Sequence, residues 1–272
     1  MLKEKIGVIG AGKIGSAIIR GILNNKLVRK DQVMASAPRE STRKSLAQDT
    51  GITVTSDNRA VCEFADIVIL SVKPAQVSTV LDGIAKPLGK NKVLVSVAAG
   101  VPIAKMESCL EKGARVVRVM TNVPCVIGAA ASAYALGSHA TETDLDRVKS
   151  VLESVGIALA VEEKHLDAVT ALSGSGPAYV YLFIESLADG GVQVGLTREV
   201  ALKLALQTVY GTAKLALESG KHLAQGRDEI TSPGGTTIAG LYALEKGGMR
   251  GTVMDAVLKA TERSRALGRG ET

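Results

Sequence analysis

The chain has 272 residues, of which 46% are hydrophobic and 22% are charged, a composition that supplies a sizeable core and excludes a disordered chain. It carries 33 basic and 27 acidic residues, and the net charge of +6 suits either an anionic ligand or an ordinary solubility requirement. Aromatic residues make up 3%, too few for the stacking platforms of a typical nucleic-acid binder, so no nucleic-acid partner is expected.

Short β-branched segments alternate with helical segments through the first part of the chain. Strands are predicted at residues 6–9, 32–36, 53–55, 67–72, 92–97, 115–120 and 157–161. Helices are predicted between several of them, at residues 16–24, 41–48, 75–84 and 142–154. This alternation predicts an α/β fold, in which residues 1–164 form a Rossmann-type, doubly wound, mostly parallel sheet with helices on both faces.

The pattern changes after Lys164, and residues 165–272 contain no convincing strand. Alanine- and leucine-rich helices are predicted at residues 178–194, 198–219, 237–246 and 253–266, separated by glycine-rich turns. Their apolar faces are wider than a small monomeric bundle needs. We therefore expect a helical substrate-binding and dimerisation domain that forms a homodimer.

The remaining composition argues against several classes of protein. Three cysteines without a C-x-x-C spacing suggest neither a disulfide framework nor a zinc site, and the three histidines lie far apart, so no metal is expected. The longest apolar stretch, residues 93–104, is too short to span a bilayer, and the N-terminus lacks the apolar region of a signal peptide. These features predict a reduced, cytoplasmic protein without a membrane partner.

A complete G-x-G-x-x-G motif follows the first predicted strand and opens the first predicted helix. Gly10 permits the turn, Gly12 lets a pyrophosphate approach the backbone, and Gly15 lets helix and strand pack closely. Lys13 and Ile14 complete the motif at the helix N-terminus, where free N–H groups attract phosphate. The motif alone also occurs in turns without a ligand, but its place between strand and helix predicts dinucleotide binding.

The end of the second strand discriminates between the two nicotinamide cofactors. An NAD-binding chain places Asp or Glu there to hold the ribose 2′-hydroxyl, whereas this chain has Ser36. Arg39, Arg43 and Lys44 follow, and a hydroxyl with a guanidinium suits a 2′-phosphate. NADPH is therefore expected, with NADH possible; the alternative is that these charges form the solvated face of the next helix.

Two further segments are expected at the carboxyl edge of the sheet, where ligands bind in such folds. One is Ser71, Val72, Lys73 and Pro74, and the other includes Val97, Ala98 and Ala99. Their small residues would let a nicotinamide lie close to the backbone, although ordinary strand-to-helix turns have the same composition.

Two glycine–serine loops stand out in the helical half. One contains Ser175, between Ser173 and Pro177; the other contains Ser232, Gly234, Gly235, Thr236 and Thr237. Both combine hydroxyls, a proline and glycines that uncover backbone N–H groups, so each is either an anion site or a plain helix cap. One loop could meet the nicotinamide and the other a substrate carboxylate.

The predicted helices offer no obvious general acid, and this limits the reactions that the site could catalyse. Reduction of a ketone requires a general acid, yet the helix predicted at residues 178–194 offers only Glu185 and Asp189, and Lys164 and His165 are interpreted as surface residues. A protonated imine needs no strong acid in the hydride step, which is compatible with a site made of Ser, Thr and Gly. The alternatives are a hydroxyacid dehydrogenase of the same architecture and a non-catalytic dinucleotide sensor.

At these residues the sequence resembles the pyrroline-5-carboxylate reductases over essentially its whole length. The resemblance is carried by residues 10–15, 72–74, 118–124, 172–179, 188–191 and, most specifically, 231–241. It implies reduction of 1-pyrroline-5-carboxylate to L-proline by NAD(P)H, the last step of proline biosynthesis. It also implies dimers that intertwine through C-terminal helices and often assemble into decamers.

The resemblance assigns roles to individual residues. It implies that Ser232 and Thr237, with the backbone between them, hold the substrate carboxylate and ring nitrogen, and that Thr237 is the catalytic contact to the imine nitrogen. It implies that Ser36 and Asn58 contact the adenosine ribose or its phosphate. The cofactor would be lined by Lys73, Pro74, Val97, Ala98 and Ala99. A substrate-contacting glutamate of some members is matched here by Gly220, so that contact is not carried over.

Overall fold

A computed structural model describes residues 2–271. Within that range the strands are β1 Ile6–Ile9, β2 Val33–Ser36, β3 Thr53–Thr55, β4 Ile67–Leu70, β5 Val93–Ser96, β6 Arg115–Met120, β7 Ala130–Leu136 and β8 Gly156–Ala160. The helices are α1 Lys13–Asn24, α2 Glu40–Thr50, α3 Asn58–Phe64, α4 Val77–Leu88, α5 Ile103–Glu107, α6 Glu142–Glu153, α7 Leu166–Val169, α8 Gly176–Gln193, α9 Arg198–Ser219, α10 Leu223–Glu229, α11 Thr236–Lys246 and α12 Met249–Gly268.

The chain divides into two compact units. The first contains the residues up to Ser175 together with the segment from Ala260 onward, and the second contains residues 176–259. The end of α12 therefore belongs to the same unit as the sheet. The functional boundary after Lys164 stays a prediction.

All eight strands form one sheet in the order β3-β2-β1-β4-β5-β6-β7-β8. Every neighbouring pair is parallel except β6 and β7, which run antiparallel. The strand order reverses between β1 and β4, and this reversal opens a crevice at the carboxyl edge where such folds bind ligands. The predicted doubly wound, mostly parallel sheet is confirmed.

Two apolar layers cover the sheet, one on each face. One contains Ile18, Ile19 and Ile22 of α1, and the other contains Leu81 and Ile84 of α4. Strands β1, β4 and β5 are buried at every position, as expected for strands covered on both faces. These two layers hold the strands in place and so fix the loops that leave the carboxyl edge of the sheet.

The first unit differs from the sequence-based prediction in three places. Strand β7 was not predicted, because its sequence is mostly alanine, a residue that is depleted in strands. The short helices α3 and α5 were also missed, since seven and five residues give too little periodicity to detect. The segment before α8, predicted as an open glycine turn, contains a π-helical turn at Thr170–Gly174.

The second unit is helical, as predicted, although the sequence did not indicate α10. Its core is small and consists of Ile184, Ala188, Ala201 and Ala205. Many large apolar side chains of α8, α9, α11 and α12 are exposed, among them Leu182, Leu204, Leu217, Tyr242 and Met254. None of the helices in the described part of the chain combines the length and the apolar run needed to cross a membrane.

Candidate active site

The three glycines of the first loop occupy three different environments. A Cβ on Gly10 would lie 2.5 Å from the Ser71 carbonyl oxygen, and Gly10 has a φ of +95°, so the turn requires glycine. A Cβ on Gly15 would lie 2.4 Å from the Gly10 carbonyl oxygen, so this glycine permits the helix to pack on the loop. A Cβ on Gly12 would meet no atom within 4 Å. The space over Gly12 is therefore open for a pyrophosphate.

The N-terminus of α1 is prepared for an anion. Its N-cap residue is Gly12, no side chain caps the helix, and no acidic residue lies in the first turn. Lys13 is exposed and Ile14 is half-buried at this end. The helix dipole and the N–H groups of the first turn therefore face a site with no competing carboxylate from the helix.

The predicted adenosine residues lie together at the end of β2. The Ser36 hydroxyl donates a hydrogen bond to Asn58 Oδ1 at 2.7 Å, and the Ser36 carbonyl accepts the N–H groups of Gly10 and Ala11. The nearby carboxylate of Asp57 accepts the Arg59 N–H as the N-cap of α3. The strand end thus carries a buried serine hydroxyl bonded to an amide, where an NAD-binding site would have a carboxylate.

The three cations that follow β2 have different roles. Arg43 Nη1 donates to the carbonyls of Ala37 and Pro38 and so stiffens the loop between β2 and α2. Lys44 pairs with Glu40 on the helix surface at 2.8 Å. Arg39 is exposed at the N-cap of α2, and in the described structure it has no ion pair. Of the three, Arg39 is available for a phosphate.

The loops after β4 and β5 carry the remaining predicted cofactor residues. The Ser71 N–H donates to the Ile9 carbonyl and the Val97 N–H donates to the Leu70 carbonyl, so both loops extend the sheet ladder by one step. Val72 and Val97 are half-buried, Ala98 is buried, and Lys73 and Ala99 are exposed. Both segments lie at the carboxyl edge, as expected.

A cavity of about 570 Å³ lies beside these loops, within the range of small-molecule sites. Its lining brings together Pro74 and Ala99, predicted to contact the cofactor, and Ser175, predicted to contact the substrate. The C-terminal segment supplies part of the wall, which the sequence did not indicate. The lining includes three cationic residues, Lys105, Arg263 and Arg269.

The end of α12 is held against the sheet unit by a polar network. The Ser264 hydroxyl donates to Asp167 Oδ1 at 2.8 Å, and Asp167 lies 3.7 Å from Arg118 Nη2. Arg118 is nearly buried and also pairs with Glu163 at 3.0 Å, while Glu163 accepts the Ile103 N–H. The network satisfies a buried guanidinium and fixes the cavity wall.

The loop before α11 presents a second helix N-terminus. Gly234 has a φ of +66°, the Gly235 N–H donates to the Ser232 carbonyl, and Gly235 is the N-cap residue without a side-chain bond. The predicted hydroxyl cap is therefore wrong. Ser232 and Thr236 are exposed and Thr237 is half-buried. Because these hydroxyls do not cap α11, they are available to bind a ligand.

The structure also shows the surroundings of the residues that were considered as a general acid. Asp189 of α8 forms an ion pair with Arg198, and Lys164 pairs with Glu162 at 2.7 Å on the surface. His165 is exposed at the end of a 3-10 turn. Lys164 and His165 thus have the surface positions that the sequence suggested. Within residues 176–193, α8 offers neither lysine nor histidine as a general acid.

Two family models match the chain. Residues 163–267 match a model described as pyrroline-5-carboxylate reductase dimerisation, and residues 5–100 match one described as NADP oxidoreductase coenzyme F420-dependent. The matched segments cover most of the helical half and the first part of the sheet.

The chain is also similar to named proteins over nearly its full length. It is 45% identical to a pyrroline-5-carboxylate reductase of Methanosarcina acetivorans, covering 99% of this chain and 100% of that protein. It is 45% identical to the same enzyme of Glycine max, covering 96% and 95% of the two chains.

Solved structures give the same result. A pyrroline-5-carboxylate reductase from Coxiella burnetii superposes with a TM-score of 0.94 at 32% identity, covering 98% of this chain and 99% of that chain. The Plasmodium falciparum enzyme, solved with NADP bound, gives a TM-score of 0.87 at 38% identity, covering 98% and 99%. The chain belongs to the pyrroline-5-carboxylate reductase family.

Proposed function

We infer that the chain is an oxidoreductase that reduces the cyclic imine 1-pyrroline-5-carboxylate to L-proline with NADPH, the last step of proline biosynthesis. The observation that carries this inference is a complete dinucleotide loop, with open space over Gly12, in a chain that matches a named pyrroline-5-carboxylate reductase over 100% of that protein. When bound, the nicotinamide cofactor supplies the hydride.

The cofactor phosphates are proposed to rest on the N-terminus of α1, with Gly12 beneath them. Ser36 and Asn58 hold the adenosine ribose, and Arg39 pairs with the 2′-phosphate. The uncapped helix, the hydroxyl–amide pair at the end of β2 and the exposed guanidinium support this arrangement. A relative from Plasmodium falciparum was solved with NADP bound. The preference for NADPH over NADH rests on the absence of a carboxylate at this strand end.

The substrate is proposed to bind at the loop before α11. Backbone N–H groups around Gly234 and Gly235, with the Ser232 and Thr236 hydroxyls, hold the substrate carboxylate. The Thr237 hydroxyl hydrogen-bonds the ring nitrogen. Ser175 is proposed as a substrate contact at the cavity beside the carboxyl edge of the sheet. The uncapped, eleven-residue α11 and the free orientation of its hydroxyls support these roles. Because the protonated imine already carries a positive charge, the hydroxyls need only orient it during hydride addition.

The helical residues 165–272 are proposed to mediate a homodimer, which in turn can build a decamer. The match to a dimerisation family model indicates oligomerisation, and the exposed apolar side chains of α8 and α9 supply the surface. Leu182 and Leu217 are 66% and 84% exposed, an arrangement that is unfavourable for a monomer in water. Light scattering across a dilution series tests this, and a stable monomer would contradict it.

The reaction is proposed to take place in the cytoplasm. The three cysteines are all free thiols in the structure, as expected in a reducing compartment. Fractionation of cells that express the chain with a small tag, followed by detection in the soluble cytoplasmic or another fraction, tests the location.

The activity is tested by following the loss of NADPH absorbance when purified protein meets 1-pyrroline-5-carboxylate, with NADH in a parallel reaction. We expect turnover with L-proline as the product, identified by chromatography, and a higher kcat/KM with NADPH. Binding of NADPH without turnover on this imine would contradict the substrate assignment. Equal kcat/KM for both cofactors would contradict the cofactor preference.

A further inference from the structure

The turn that leads into α8 has an uncommon backbone. Residues Thr170–Gly174 are π-helical, and the Ser175 N–H donates to the carbonyl five residues earlier, that of Thr170, at 2.8 Å. Such turns are rare and frequently mark functional sites. Thr170 and Ser175 bracket the turn, and both line the cavity at the carboxyl edge. The shape of the turn therefore sets the position of Ser175.

This turn contains a carbonyl that lacks its α-helical partner. In an α-helix the carbonyl of residue 173 accepts the N–H of residue 177, four positions later. Residue 177 is proline and has no N–H to donate. Ser173 is half-buried, so its carbonyl requires another donor.

Asn122 supplies that donor from the end of β6. Its Nδ2 donates to the Ser173 carbonyl at 3.0 Å, and its Oδ1 accepts the N–H of Ala131 at 3.0 Å. Asn122 is 9% exposed, so both halves of its amide are used in a nearly dry site. Rotation of the amide would break both bonds at once, which fixes the side chain and, with it, the turn.

A side-chain contact lies beside this hydrogen bond. A Cβ on Gly174 would lie 2.3 Å from Cε of Met120, so the Met120 side chain packs on the turn at Gly174. Asn122 follows Met120 by two residues. The turn is thus fixed at two adjacent points, one by packing and one by a hydrogen bond.

We propose that Asn122 is a positioning residue for the reaction. It donates to the carbonyl left without a partner by Pro177, and it thereby fixes the π-helical turn that carries Ser175 to the cavity. Asn122 itself contacts neither substrate nor cofactor in this proposal. The inference rests on the proposed function, because its consequence is measured as turnover of the imine.

The first test compares Asn122→Ala and Asn122→Asp with Ser132→Ala. The aspartate keeps an acceptor for the Ala131 N–H but, when ionised, has no donor for Ser173. Ser132 is a control from the same neighbourhood, since its buried hydroxyl donates to Thr121 Oγ1 at 2.8 Å, next to Asn122, but makes no bond to the Ser173 carbonyl. Displacement of a contact group by about 1 Å costs up to about 100-fold in rate.

We expect both Asn122 variants to lower kcat between about 10- and 100-fold while the Kd for NADPH changes less than about twofold. Ser132→Ala should change kcat less than about twofold, even if its melting temperature falls as much as that of the Asn122 variants. Equal kcat in all three variants would overturn the proposal. An inactive wild-type protein would instead contradict the proposed function, so the two failures are distinguishable.

The second test uses the proline. Pro177→Ala restores the N–H of residue 177, so the turnover lost in Asn122→Ala should be partly recovered in the double variant, by about threefold or more. Backbone amide exchange across residues 170–175 should be faster in Asn122→Ala than in wild type and Ser132→Ala. Strictly additive effects of the two substitutions, together with unchanged exchange, would overturn the role of the Ser173 carbonyl and hence the proposal.

Discussion

Replacement of Gly12 by alanine should separate cofactor binding from folding. The Gly12 backbone has φ −78° and ψ −162°, a conformation that alanine adopts without strain, and the added Cβ would meet no protein atom within 4 Å. Alanine lowers the entropy of the unfolded chain, which stabilises by about 0.4–1 kcal/mol, but it is a poorer N-cap than glycine by a similar amount. The two effects nearly cancel, so the melting temperature should move by less than about 3 °C.

The same methyl group would occupy the space through which a pyrophosphate reaches the backbone. A hydrogen bond to a charged group contributes about 1.5–3 kcal/mol, so the loss of one such bond raises the Kd for NADPH roughly 10- to 150-fold. Fluorescence titration measures the Kd and circular dichroism measures the melting temperature on the same samples. These two readings together distinguish a blocked site from a damaged fold.

Two other glycines provide controls. Gly83 in α4 also has open space around its Cβ position, so Gly83→Ala should leave the Kd unchanged and stabilise the helix by about 0.5–1 kcal/mol. Gly15→Ala places its Cβ 2.4 Å from a backbone oxygen and should lower the melting temperature. If Gly12→Ala binds NADPH as tightly as Gly83→Ala, the loop is not the pyrophosphate site and the reasoning fails.

The remaining predictions concern specificity, chemistry and the thiols. Arg39→Ala should raise the KM for NADPH about tenfold or more with little effect on NADH, because only NADPH has a 2′-phosphate for the guanidinium to pair with; an equal loss for both cofactors would refute this. Thr237→Ala should lower kcat at least about tenfold and leave the Kd for NADPH unchanged; normal turnover would remove Thr237 from the mechanism. A thiol reagent should label native protein once, at the partly exposed Cys109, and Cys109→Ser should block labelling. Burial raises the pKa of Cys62 from 9.0 to about 11, so the free energy of unfolding should fall as pH rises through that window, and less so in Cys62→Ala.

Most of the sheet was predictable because its strands carry their own signal. The β4 sequence, Ile-Val-Ile-Leu, is apolar at every position and reads as a strand buried on both faces. Strand β7 carries no such signal, since six of its seven positions have little intrinsic preference for a strand or favour a helix. It is a strand because β8 pairs with residues 130–134 and β6 pairs with residues 133–136, a tertiary effect that overrides local propensity.

The candidate site also has one part that the sequence predicts and one part that needs the structure. The roles of the loop glycines follow from the motif, and the structure gives Gly10, Gly12 and Gly15 the three separate environments that these roles require. Of the three cations after β2, Arg39 is the one predicted to bind the cofactor, but the sequence gives no physical reason to set Arg43 and Lys44 aside. Only the folded loop shows that Arg43 is used by two backbone carbonyls while Arg39 is exposed.

The turn before α8 shows what prediction from local sequence alone misses. Serines and glycines followed by a proline predict a break in the chain, and Pro177 does remove a backbone donor. Without the N–H of residue 177, the Ser173 carbonyl needs a hydrogen-bond donor from elsewhere in the chain. Here the donor is Asn122, 51 positions earlier, and the π turn at Thr170–Gly174 is followed after one residue by α8. Proline is well tolerated in the first turn of a helix such as α8, where its missing N–H would have no intrahelical partner. The same missing N–H leaves the Ser173 carbonyl without its partner four residues later, and Asn122 donates to that carbonyl instead, so Asn122 and Pro177 should be energetically coupled.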